Sequence, residues 1–152
     1  MFSAVHLHLA VNHSPLYGEV FAFFLVLIGV IRRNRTLVTA GYVFAIFAAA
    51  GAIVSDQSGD GAARYLKQAN LAGVDMSLVR EHDQAATFAV ASTCIAAALS
   101  VVAMWLGRGR ERRRWLDIVI IVVMAWSISV VARVALLGGR IHHQEVRPVV
   151  QA

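Results

Sequence analysis

The chain has 152 residues, of which 59% are apolar and 15% charged, against about 25% charged in average soluble composition. Four apolar stretches of about 20 residues each fill most of this length and leave no room for a separate soluble catalytic domain. The formal charge of +5 lies in short arginine runs between apolar stretches, a pattern of membrane topology rather than of nucleic-acid binding.

In chain order, residues 2–13 read as a separate interfacial segment. No basic residue precedes its apolar run and no small-residue cleavage site follows, so it does not read as a cleavable signal peptide. The first span is expected over 15–31, with Ser14 as N-cap and Pro15 at the first helical position. Arg32, Arg33, Asn34 and Arg35 stop it. A second span over 37–54 carries Gly41, Ala45, Ala48 and Ala52 at helical spacing, a small-residue stripe that lets another helix approach closely. An outer loop at 55–83 follows, with one short surface helix over 62–71. The third span, 84–106, opens after Glu81, His82 and Asp83, acids that suit a helix N-terminus. Cys94 is the single cysteine and sits inside this span, so neither an intramolecular disulfide nor a thiolate cage is available. The fourth span, 116–137, is expected to close at Gly138 and Gly139.

The inner basic loops are 32–36 and 107–115. Around them lie eight arginines, Arg32, Arg33, Arg35, Arg108, Arg110, Arg112, Arg113 and Arg114, against two acids, Glu111 and Asp117. The rest of the polar chain has six basic residues against seven acids. The positive-inside bias therefore puts both termini and the middle loop outside. Trp105 and Trp115 flank the second basic loop and fit an aromatic belt. The expected fold is all-α, an integral membrane four-helix bundle with periplasmic termini in a bacterial inner membrane.

On that topology every histidine falls on the outer side: His6, His8 and His13 before the first span, His82 at the start of the third, His142 and His143 after the fourth. Imidazoles suit membrane interfaces for ordinary reasons, and they are also common metal and haem ligands. Below His82 the third span presents Ala85, Ala86, Ala89, Thr93, Ala96, Ala97 and Ser100, a face for another helix or for a flat ring. Below His13 the first span presents Tyr17, Phe21 and Phe24, a bulky aromatic face. Arg133 lies within the fourth span, where an arginine needs a partner or a route to the interface. Glu19, Glu81 and Asp83 are the candidate partners, and Arg140 falls close to the same face.

The motifs His13-x-Pro15, Glu81-His82 and Gly138-Gly139-Arg140-Ile141-His142 on four spans resemble a widespread family of uncharacterised bacterial four-span membrane proteins. That family is remotely similar to four-helix membrane b-type cytochromes. The resemblance implies a haem b, or another redox cofactor, held by His82 with His13 or one of His6, His8, His142 and His143. Arg133 or Arg140 would then pair with the propionates. This chain departs from such cytochromes in having no histidine on the inner side, so one outer site alone would not relay electrons across about 30 Å of hydrocarbon.

Three functions follow as expectations. The first is haem-linked electron transfer with quinol or a periplasmic carrier. Another is a copper, zinc or iron site at His13 and His82, completed by Glu19, Glu81 or Glu145. The third is a cofactor-free accessory or assembly subunit, docking through the small faces of the second and third spans onto a copy of itself or a larger membrane complex. Nucleophile-elbow, phosphate-loop and zinc-protease motifs are absent from the sequence. No ionisable residue is placed mid-span, which leaves a carrier or channel without a polar route.

Overall fold

A computed structural model describes residues 3–69, 74–108 and 113–143 of the chain. These residues form five helices: α1 (Ala4–Val11), α2 (Ser14–Ile31), α3 (Arg35–Ala69), α4 (Met76–Leu106) and α5 (Arg114–His142). Four helical segments, with α1 and α2 taken together as Ala4–Ile31, are long and apolar enough to cross a membrane. The long helices pack α2 on α3, α3 on α4, α4 on α5 and α5 back on α2, closing a ring. All-helical architecture and the four apolar helices agree with the sequence reading.

The α2–α3 seam shows why these residues pair. Ser14 lies against Gly51, Gly18 against Ala48, Val26 against Gly41 and Val38 against Gly29, so residue numbers rise on one helix as they fall on the other, an antiparallel register. On α2 the buried face is Pro15, Glu19, Ala22, Val26 and Gly29. The facing stripe on α3 includes Gly41, Ala45, Ala48 and Ala52, all buried. On α4, Ala89, Thr93, Ala96, Ala97 and Ser100 are likewise buried. Most of both small-residue stripes is therefore used inside the bundle.

Element boundaries differ from the sequence reading in several places. His13, not Ser14, is the N-cap of α2, and the Ser14 hydroxyl donates to the Val11 carbonyl at 2.7 Å. Most of the expected outer loop is helical, because α3 continues to Ala69 without a break. At 1.5 Å per residue its 35 residues span about 52 Å, well beyond a hydrocarbon core of about 30 Å. This extension is held by α1, whose Ala4 meets Gly61 and whose His8 meets Gly59. Helix α4 begins at Met76 rather than 84, capped by Asp75, which accepts the Ser77 N–H at 2.8 Å. Gly138 and Gly139 do not end α5, which runs on to His142.

The bundle is apolar outside and partly polar inside. Phe47, Phe88 and Leu136 are 69, 68 and 69% exposed, whereas Glu19, Ser92, Thr93, Ser100 and Ser127 are all 0% exposed.

Candidate functional site

Glu19 lies on the buried stripe of α2, four residues after Pro15 and three before Ala22, and is carried straight into the ring. The Ser127 hydroxyl of α5 donates to its Oε1 at 3.2 Å. Ser127 Oγ is also 3.1 Å from Ser92 Oγ of α4, and Ser92 donates to the Ala89 carbonyl at 2.9 Å. Glu19 Oε2 is buried with no hydrogen-bond partner among the described residues. Ser92 and Ser127 are near the midpoints of α4 and α5, so the carboxyl sits halfway along the bundle. Of the three partners the sequence offered for Arg133, Glu19, Glu81 and Asp83, the structure selects Glu81, 3.8 Å away, with both side chains well exposed. The expectation of no ionisable group mid-span is corrected by Glu19 itself.

Toward the arginine-bearing end, the buried face of α4 carries the hydroxyls of Thr93 and Ser100. Beyond them Tyr42 of α3 donates to Asp117 of α5, and both residues are buried. Next to this pair a cavity of about 220 Å3 opens between α3, α4 and α5, lined by Arg35, Val38, Thr39, Tyr42, Met104, Arg113, Leu116 and Asp117 among others. No histidine lines it.

The histidines are distributed over the opposite end. His8 is half-buried and donates from Nδ1 to the Ser55 carbonyl at 2.9 Å. His82 is also half-buried and donates from Nδ1 to the Val134 carbonyl at 3.0 Å. In each case a glycine sits four residues after the accepting carbonyl: a Cβ on Gly59 would come 3.3 Å from the His8 ring, and one on Gly138 3.1 Å from the His82 ring. The two rings therefore seal α1 to α3 and α4 to α5 in the same manner. A carbonyl only accepts, so Nδ1 carries the proton in both.

His6 hydrogen-bonds to Ser3 at 2.7 Å. His13 is exposed, hydrogen-bonded to Asn12 and stacked on Tyr17 with ring centroids 6.3 Å apart. His143 is exposed at the C-cap of α5, and the His142 side chain lies outside the described residues. Arg140 is half-buried. Tyr17, Phe21 and Phe24 point outward, with Phe21 touching Phe44 at 6.1 Å. Among the described residues no three His, Cys, Asp or Glu side chains gather where one metal ion would reach them. The structure thus assembles Glu19, Ser127 and Ser92, two of which were not singled out from the sequence. The signal for Glu19 was there: it shares a face with Pro15, Ala22 and Gly29, away from the aromatic face. Nothing local marks Ser127 as its partner, 108 residues away.

Comparison with protein families, with curated proteins and with solved structures finds no match to this chain.

Proposed function

We propose that the chain is a polytopic membrane protein whose functional centre is Glu19, a carboxyl that takes up and releases a proton inside the bundle. The observation that carries this reading is a count of hydrogens. The chain from Glu19 through Ser127 and Ser92 to the Ala89 carbonyl has three contacts of hydrogen-bond length. Two hydroxyls supply only two protons. With Glu19 ionised, Ser127 donates to Oε1; a third proton placed on Oε1 reverses that bond, and all three contacts then carry a hydrogen, Glu19 to Ser127, Ser127 to Ser92 and Ser92 to Ala89. The ionised form leaves one contact without a hydrogen and puts a full negative charge on a fully buried carboxyl whose Oε2 has no hydrogen-bond partner among the described residues, and an uncompensated buried charge costs several kcal/mol.

Insertion in a bilayer is part of the proposal. It is supported by the length and composition of the four helical segments and by large apolar side chains on the outer surface, which water would not tolerate as a continuous belt. By the positive-inside bias the arginine-bearing end faces the cytoplasm of a bacterial inner membrane. Thr93, Ser100 and the Tyr42–Asp117 pair then lie between Glu19 and that side, the direction from which the proton is exchanged.

Proton uptake by the protein in lipid vesicles, read with a pH indicator after a pH jump, tests this. Wild type is expected to take up about one proton per chain more than Glu19→Gln. Equal uptake by the two proteins contradicts the reading.

A second reading, haem b or another redox cofactor at the histidine-bearing end, has one observation in its favour. His8 and His82 are both held by a backbone carbonyl at Nδ1, the arrangement that orients a ligating imidazole. Quinol or a periplasmic carrier would be its redox partner. Expression with haem supplied tests it: a Soret band lost in His82→Ala supports the reading, and a colourless protein ends it.

A further inference from the structure

The cavity at the arginine-bearing end is distinct from the Glu19 site and from the histidines. Its walls are of two kinds. Arg35 and Arg113 are exposed and flank it, with the Thr39 hydroxyl beside them, while Val38 and Met104 supply apolar surface. Helices α3 and α5 both begin here, at Arg35 and Arg114, so the positive ends of two helix dipoles adjoin the cavity. One carboxylate, Asp117, is already present and accepts the Tyr42 hydroxyl. Against its single charge stand the two guanidinium groups of the lining, with Arg32, Arg33, Arg108 and Arg114 exposed nearby in sequence. The surplus is positive. Guanidinium forks match phosphate oxygens in geometry, and an apolar wall next to them suits the start of an acyl chain.

We propose that this cavity binds the phosphate of an anionic phospholipid, with Arg35 and Arg113 as its charge partners, Thr39 as a hydroxyl donor, and the glycerol end of the acyl chains against Val38 and Met104. Membrane depth fits. In the bilayer placement proposed above, on which this inference rests, the ends of the four long helices meet at headgroup depth, and basic pockets between membrane helices are suited to anionic headgroups.

The test uses the full-length protein in mild detergent and native mass spectrometry with matched-chain phosphatidylglycerol, phosphatidylcholine, or inorganic phosphate alone. Wild type is expected to retain phosphatidylglycerol about tenfold better than phosphatidylcholine. Arg35→Gln/Arg113→Gln should lose that preference, whereas Arg32→Gln/Arg33→Gln, removing the same charge outside the cavity, should keep it. Thr39→Trp fills the cavity mouth without removing a charge, and should also weaken phosphatidylglycerol binding if the first double variant does not fold. Equal retention of the two lipids overturns the proposal, as does an equal loss in both double variants, which would mean attraction by surface charge alone. Saturation by inorganic phosphate with no lipid retained overturns the assignment to a phospholipid.

Discussion

At the residue scale, the behaviour of Glu19 depends on one hydroxyl. Ser127→Ala removes the one hydrogen bond to the carboxyl among the described residues and leaves both oxygens buried without a partner there. A loss of about 1–3 kcal/mol in unfolding free energy is expected, measured by denaturation in detergent. Glu19→Gln keeps a donor that reaches Ser127 and should lose less than Ser127→Ala. The reverse order would mean that the carboxyl is ionised and held by contacts other than this chain. A second residue carries strain. Arg33, between α2 and α3, has φ 52°, a left-handed conformation that opposes a side chain by roughly 1–2 kcal/mol. It is the left-handed residue of a Schellman closure: Asn34 N–H reaches the Gly29 carbonyl at 2.8 Å and Arg33 N–H the Val30 carbonyl at 3.3 Å, satisfying carbonyls that would otherwise be orphaned. Arg33→Gly should therefore stabilise the protein by about 1 kcal/mol, read in the same denaturation assay. No change would mean that the turn adopts another geometry.

At the scale of elements, close approach decides what each glycine tolerates. A Cβ on Gly41 would stand 2.5 Å from Val26 Cγ2 and 2.9 Å from the Ala22 carbonyl oxygen, whereas one on Gly139 would meet nothing within 4 Å. Gly41→Ala should lose about 1–3 kcal/mol by overpacking, and Gly139→Ala should gain about 0.5–1 kcal/mol from helix propensity. Equal effects at the two positions would contradict the α2–α3 seam. The stripe Gly41, Ala45, Ala48, Ala52 was legible in the sequence because helical periodicity and small volume both act locally. Which helix covers it was not, since that depends on a register between residues tens of positions apart. The polar run at 55–69 failed as a loop for a related reason: its helix is held by α1, and the Ala4–Gly61 and His8–Gly59 contacts leave no mark in local composition. Gly138 misled as a helix stop because its missing side chain serves the His82 ring, not a turn.

At the scale of the whole molecule, the outer surface is more apolar than that of a soluble bundle, with phenylalanines and leucines exposed, while the apolar core around Val26, Ile120 and Met124 also encloses serines, a threonine and a glutamate. Composition and arginine placement made four apolar helices legible from the outset. The polar interior was not, because Ser92, Ser100 and Ser127 are unremarkable as sequence and become a set only when α4 and α5 pair. The same sorting predicts depth. Trp126 is exposed near the middle of α5, whereas Trp105 and Trp115 are exposed at the arginine-bearing end. In vesicles, single-tryptophan variants should show Trp126 quenched most by a quencher at the acyl-chain terminus, and Trp105 and Trp115 by one near the headgroup. Efficient quenching of Trp126 by aqueous iodide would contradict a bilayer around the bundle.

Infrared titration of the protein in lipid vesicles shows whether Glu19 carries an exchangeable proton within the bundle. A protonated-carboxyl C=O band should disappear reversibly as pH rises, shift when Ser127 is replaced by alanine, and be missing from Glu19→Gln. A carboxyl spectrum identical in wild type and Glu19→Gln across the titration would mean that Glu19 carries no such proton.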